Sequence, residues 1–184
     1  MQVQRFGIAG VLLITPRRFG DHRGWFSETY RVDGWAEAGV SAALVQDNHS
    51  FSAPVGTVRG LHCQIGPHAQ GKLVRVLRGA IFDVAVDARA GSPTYGQHVG
   101  ATLSAENNAQ FWVPVGFLHG FCTLEPDTEV AYKCSAYYDR GAERGVIWND
   151  PALGIDWPVS AERAVLSDKD QLLPDFSAAA DWFA

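Results

Sequence analysis

Residues 72–88 read KLVRVLRGAIFDVAVDA, a stretch dense in β-branched side chains and broken once, at Arg78-Gly79. Two short strands meeting at a corner satisfy that pattern. The same texture returns in GVLLITP (10–16), AQFWVPVGF (109–117) and EVAYKCSAYY (129–138), most of it alternating with period two. The last of these is read as a strand ending at Tyr137-Tyr138. Turn signals fall at Gly20-Asp21, Pro54-Val55-Gly56, Gly91-Ser92-Pro93, Pro114-Val115-Gly116 and Asp150-Pro151. Many short strands at this spacing, with 19 Gly and 9 Pro, predict a mainly β chain: a closed barrel or a double-sheet jelly roll. Helix is expected in two places only. One is residues 32–38, and the other is the C-terminal end, where Ser177 is placed to cap residues 178–183. No internal repeat or linker interrupts the chain, so residues 1–184 are expected to form one domain.

Charge and cysteine content narrow the function classes. A net charge of -5 argues against a nucleic-acid partner held by a general basic surface. An anionic ligand would need a local cluster of Arg and Lys. The three cysteines are an odd number without CxxC spacing, as expected for reduced thiols in a cytoplasmic protein. The N-terminal apolar run has no basic segment before it, and no run reaches transmembrane length, so no membrane association is expected.

The segment VRGLHCQIGPHAQGKLVR (58–75) places His62 and Lys72 on two short β-type runs with a Gly/Pro turn between them. A base and a cation on neighbouring strands of a small barrel suit proton removal beside a carbonyl. In a regular strand the alternation would send His62 and Arg59 to opposite faces. The six histidines show neither HxH nor HxxxH spacing, and His62 is followed by Cys63 and Gln64 rather than a second His. The usual early ligand set of a metal jelly roll is therefore missing. Glycine-rich phosphate loops and a Gly-x-Ser-x-Gly elbow are absent as well. Side chains alone are expected to run the chemistry. Polar groups inside apolar sequence supply candidates: DHRGWFSE (21–28), QDNHS (46–50), FLHGF (117–121) and Tyr132-Lys133.

In their order, these blocks resemble the dTDP-4-dehydrorhamnose 3,5-epimerase family. The matching segments are FGDHRGWFSETY, VQDNHS, VRGLHCQ, HAQGKLVRV, FDVAVDAR, GSPTYGQ, LSAEN, VPVGFLHGF, AYKCSAYY, ERGVIWNDPALGIDWP and LSDKD, spanning residues 7–170. The resemblance implies a cupin-like jelly-roll barrel with short flanking helices, working without metal or other cofactor. The implied substrate is a dTDP-linked 4-keto-6-deoxy sugar, and the implied assembly is a homodimer. It puts His62 at the general base, Tyr132 at the general acid, and Asp170 at the carboxylate that orients His62, with Asp83 as a second candidate for that carboxylate. Lys72 and His119 fall at positions lining the sugar and its keto oxygen. Arg23, Glu28, Gln46, Asn48, Arg59, Glu143 and Lys169 fall at positions for the nucleotide and diphosphate, and Phe26 and Tyr138 at aromatic positions close to the ligand. Cys63 stands where an aromatic is common, and Trp25 where Phe is usual; both departures bear on the shape of the sugar pocket. Three other readings remain open: an epimerase acting at C3 or C5 only, a metal-dependent relative on the same fold, and a non-catalytic sugar-binding jelly roll.

Overall fold

The computed structural model describes residues 1–183. In chain order its elements are β1 (Gln2–Arg5), β2 (Leu12–Thr15), β3 (Phe19–Asp21), β4 (Gly24–Phe26), α1 (Val32–Ala38), β5 (Gln46–Ser52) and β6 (Val58–Gln64). There follow β7 (Lys72–Arg78), β8 (Ala80–Asp87), β9 (His98–Ser104), β10 (Gln110–Val113), β11 (Phe117–Thr123), β12 (Thr128–Cys134) and β13 (Glu143–Gly145). One antiparallel sheet runs β1-β2-β10-β7-β12-β5, the other β13-β6-β11-β8-β9, and β3-β4 is a separate hairpin. The two large sheets face each other as a jelly roll.

The core explains why several strands are apolar without alternation. Val74, Val76, Phe111 and Val130 from the first sheet pack against Ile81, Ala85, Leu103, Phe117 and Phe121 from the second. The outer face of the second sheet is also covered, by Val146, Leu153, Phe176 and Ala179 lying on Leu61, Val84, Val86 and Leu118. β11 is consequently buried at every position, as expected for a strand covered on both sides. On the first sheet, Trp35 and Ala38 of α1 pack on Leu12, Ile14, Leu73 and Trp112. The helix stops at Gly39, whose φ of 119° is left-handed and whose N–H returns to the carbonyls of Trp35 and Ala36.

The strand break at Gly79 and the extent of α1 agree with the sequence reading; three local expectations do not. Gly20 and Asp21 lie in β3, and the turn of that hairpin falls on His22-Arg23. The strand through Tyr132 ends at Cys134, because Ser135 ties the chain to Gly71 through its N–H and hydroxyl. Tyr137 and Tyr138 thus lie beyond the sheet. At the C-terminal end a 3-10 turn over Phe176–Ala179 has no side-chain cap. Its start is fixed by Phe176, whose N–H donates to Asp150 Oδ2 at 2.6 Å and whose ring packs on Tyr95, so Ser177 caps nothing.

Candidate active site

β6 carries the irregularity that makes the site. His62 pairs with His119 of β11, but Arg59 pairs with Phe121, so three steps on β6 match two on its neighbour. This bulge brings Arg59 onto the same face as His62, and both line one cavity of about 400 Å3. The expectation of opposite faces, which assumed a regular strand, is corrected. Glycine is required at the crossing: a Cβ on Gly60 (φ 122°) would lie 2.6 Å from Gly120 Cα and 2.7 Å from the His119 carbonyl oxygen.

His62 donates from Nε2 to Asp170 Oδ1 at 2.7 Å, which leaves Nδ1 as the basic nitrogen. Asp170 sits on a 3-10 turn (Asp170–Leu172), and its own N–H is held by Ser167 Oγ. Burial alone would raise the Asp170 carboxyl. The His62 bond and charge, with support from Ser167 and the Gly60 backbone, outweigh it and hold the group below its ordinary value.

Lys72 and Tyr132 enter the cavity from the other large sheet. Lys72 Nζ approaches the His62 carbonyl oxygen at 3.5 Å. Burial pulls its ammonium below the ordinary value, with the charges of Asp83 and Glu143 acting the other way. Tyr132 is pushed up mainly by burial, so its phenol keeps a proton to give. His119 also lines the cavity, and Asp83 bonds to it: Asp83 Oδ1 lies 2.6 Å from His119 Nε2. Asp83 is therefore not the carboxylate behind His62.

A second lobe of about 400 Å3 shares His62, Lys72 and Tyr132 as a wall and adds Gln46, Asn48, Tyr138 and Glu143. Gln46 accepts from the Tyr138 N–H at 2.8 Å and donates to Asn48 Oδ1 at 3.1 Å. Tyr138 donates its hydroxyl hydrogen to Glu143, which also pairs with Lys169 at 2.6 Å. Burial would raise Glu143, but Lys169 and Tyr138 together hold it below its ordinary value. Cys63 lines this lobe, and burial pushes its thiol up to about 12, which makes it a poor nucleophile.

The structure thus gathers His62, Asp170, Lys72, Tyr132, Arg59, His119, Gln46, Asn48, Tyr138, Glu143 and Lys169 around one cleft. Arg23, Phe26 and Glu28 line neither lobe. Arg23 and Phe26 border a shallow pocket on the β3–β4 hairpin, with Arg23 paired to Asp21, and Glu28 pairs with Arg31. Ser50, which the sequence reading included in the QDNHS run but gave no role, lines the cavity with a buried hydroxyl that has no partner among the described residues. The alternation of Gln46 and Asn48 along β5 already pointed to it. Among the described residues no group of three or more His, Cys, Asp and Glu is placed to hold a metal ion, and no helix is long and apolar enough to cross a membrane.

The geometry meets a known family here. The family model described as dTDP-4-dehydrorhamnose 3,5-epimerase matches residues 5–178. A curated dTDP-4-dehydrorhamnose 3,5-epimerase of Sinorhizobium fredii is 56% identical over 95% of this chain and 89% of its own length. The crystal structure of the enzyme of that name from Bacillus anthracis, with TDP and PPi bound, superposes with a TM-score of 0.91 at 49% identity, covering 95% of this chain and 98% of that one. A dTDP-6-deoxy-D-glucose-3,5-epimerase from Legionella pneumophila, in complex with dTDP-4-keto-L-rhamnose, gives 0.91 at 45% identity over 96% and 93%. The chain belongs to the dTDP-4-dehydrorhamnose 3,5-epimerase family.

Proposed function

We propose that this protein inverts C3 and C5 of dTDP-4-dehydro-6-deoxy-D-glucose to give dTDP-4-dehydro-L-rhamnose, using side chains alone. One observation carries the mechanism: a carboxylate-backed imidazole, His62, and a phenol, Tyr132, enter one cavity from opposite sheets. Hydrogens on C3 and C5 lie α to the C4 carbonyl. His62 Nδ1 removes one of them, and the resulting imidazolium is stabilised by Asp170. Charge moves onto the carbonyl oxygen, where Lys72 supplies a cation. Tyr132 returns a proton to the other face of the same carbon, and the centre inverts. Nothing is oxidised overall, so no redox cofactor enters the balance.

In this reading the second lobe holds the nucleoside and the first cavity, lined by Arg59 and Lys169, the diphosphate. Tyr138, just over half exposed, offers a stacking face to the base, while Arg59 and Lys169 supply positive charge for the diphosphate. The hairpin supports a homodimer. Phe19, Trp25 and Phe26 are 52%, 55% and 70% exposed, an apolar surface unusual for an isolated chain. A second copy that seats this hairpin at the cleft mouth would bring Arg23, Phe26 and Glu28 to the nucleotide. We further propose that the chain acts in the cytoplasm as a single jelly-roll unit, its three cysteines reduced; each is free and buried.

The test is turnover of the 4-keto sugar nucleotide in deuterated water. Label at both C3 and C5 of an L-rhamno product supports the reading. Label and inversion at C3 alone reduces it to a monoepimerase, and absence of both rejects it.

A further inference from the structure

Asp83 occupies a place where packing alone would favour an aliphatic side chain. On β8 it stands between Ile81 and Ala85, both in the barrel core, and on β11 His119 stands between Phe117 and Phe121 in the same core. The register sets Asp83 opposite Phe121 and His119 opposite Ala85, making the two polar residues diagonal neighbours. Their side chains are 0% and 8% exposed. Desolvating such a pair is expensive, and well-packed apolar residues in its place are often no less stable. Stability therefore gives little reason for the pair, and two further features point to the reaction. His119 reaches the cavity and is the direct cross-strand partner of His62. Asp83 also retains a buried oxygen, Oδ2, that has no hydrogen-bond partner among the described residues.

We propose that Asp83 is a positioning residue for the epimerisation, holding His119 so that Nδ1–H points at the substrate's C4 carbonyl oxygen while Lys72 meets that oxygen from the opposite sheet. Asp83 touches neither substrate nor reacting atom. It accepts from Nε2–H and balances the charge of a doubly protonated ring, whose second hydrogen then faces the cavity. As His62 takes the proton from carbon, the electron pair moves to oxygen between two fixed donors, which need no reorganisation. The inference rests on the epimerase reading, in which that oxygen becomes an enolate.

The experiment compares wild type with Asp83→Asn, His119→Asn and the double variant, measuring kcat, KM and thymidine diphosphate affinity. Loss of one oxyanion donor typically lowers kcat about 10²–10³-fold, so Asp83→Asn, which disturbs a donor without removing it, should lower kcat about 10–100-fold. KM and thymidine diphosphate affinity should stay near wild type, and the double variant should be no slower than His119→Asn. An unchanged kcat in Asp83→Asn, or losses that multiply in the double variant, overturns the proposal. A parallel measurement needs no variant: nitrogen-15 spectra of the His119 ring in wild type loaded with thymidine diphosphate. Two protonated nitrogens support the proposal and one bare nitrogen overturns it, even should Asp83→Asn not fold. If wild type itself does not epimerise, the function reading fails instead.

Discussion

Two imidazole–carboxylate pairs stand side by side in this barrel, and they differ in both access and origin. His62 and His119 are cross-strand partners on β6 and β11, and each bonds an aspartate within 2.7 Å. The His62 side chain is 25% exposed, that of His119 8%. Asp83 comes from a regular strand 36 residues from His119 and lies in the apolar interior. Asp170 comes from 108 residues away, on a 3-10 turn beyond the sheets. The more exposed ring is the better placed to exchange protons with a ligand, whereas the more buried one, which still lines the cavity, is the more firmly held in one orientation. Similar chemistry is thereby divided into two roles by burial.

The strongest way to break this comparison is at His62. His62→Asn is a shorter polar side chain that removes the base together with the Nε2–H that bonds Asp170. Turnover is expected to fall about 10²–10⁴-fold while thymidine diphosphate still binds. Near-normal epimerisation in this variant would make His119 or another group the base, and the division of roles by burial would collapse. Tyr132→Phe comes next. Base and oxyanion donors survive, so the variant should exchange a substrate C–H with deuterated water while forming little inverted product. Mass spectrometry for label and NMR for stereochemistry separate the two events. Full inversion would remove Tyr132 from the reaction, and loss of exchange in a folded, ligand-binding variant would count against the opposite-face role.

Asp170→Asn sharpens the comparison with a smaller loss. The base remains, but its tautomer and imidazolium are less well held, so the fall in kcat should not exceed that of His62→Asn. A larger loss would mean that Asp170 contacts the substrate itself.

Much of this arrangement was legible in the sequence, and the omissions have physical causes. The strand break at Gly79 and the helix over Val32–Ala38 were readable because local turn chemistry and apolar spacing determine them. His62, Lys72 and Tyr132 were readable as polar groups set in apolar strands. The shared face of Arg59 and His62 was not, since it depends on the bulge at Gly60; a glycine inside a strand was the available signal. Asp83 could not be matched to His119 rather than His62 because the match depends on strand register, which pattern does not reveal. The β3–β4 hairpin was misread because its residues are exposed throughout and carry no buried alternation.

The smallest expected effect concerns acid stability, and it sets the catalytic carboxylate against a purely structural one. Asp87, whose side chain is 0% exposed, accepts from Arg89, Ser92 and Thr94 and lies well below its ordinary value despite burial. Asp170 is also held below its ordinary value, chiefly by His62 against the opposing effect of burial. A carboxylate with a depressed folded value stabilises the fold above its unfolded value of about 3.9, and that contribution is lost as pH falls through the folded value. Both aspartates should therefore steepen the decline in stability below about pH 5. The Asp87→Asn variant should flatten that decline more than Asp170→Asn, because three side chains, Arg89 through two of its nitrogens, and a backbone N–H donate to Asp87. Urea titrations at a series of acid pH values give the two slopes. Equal flattening would mean that the site carboxylate contributes as much to the fold as the structural one. A steeper decline in Asp170→Asn than in wild type would contradict the sign of its shift.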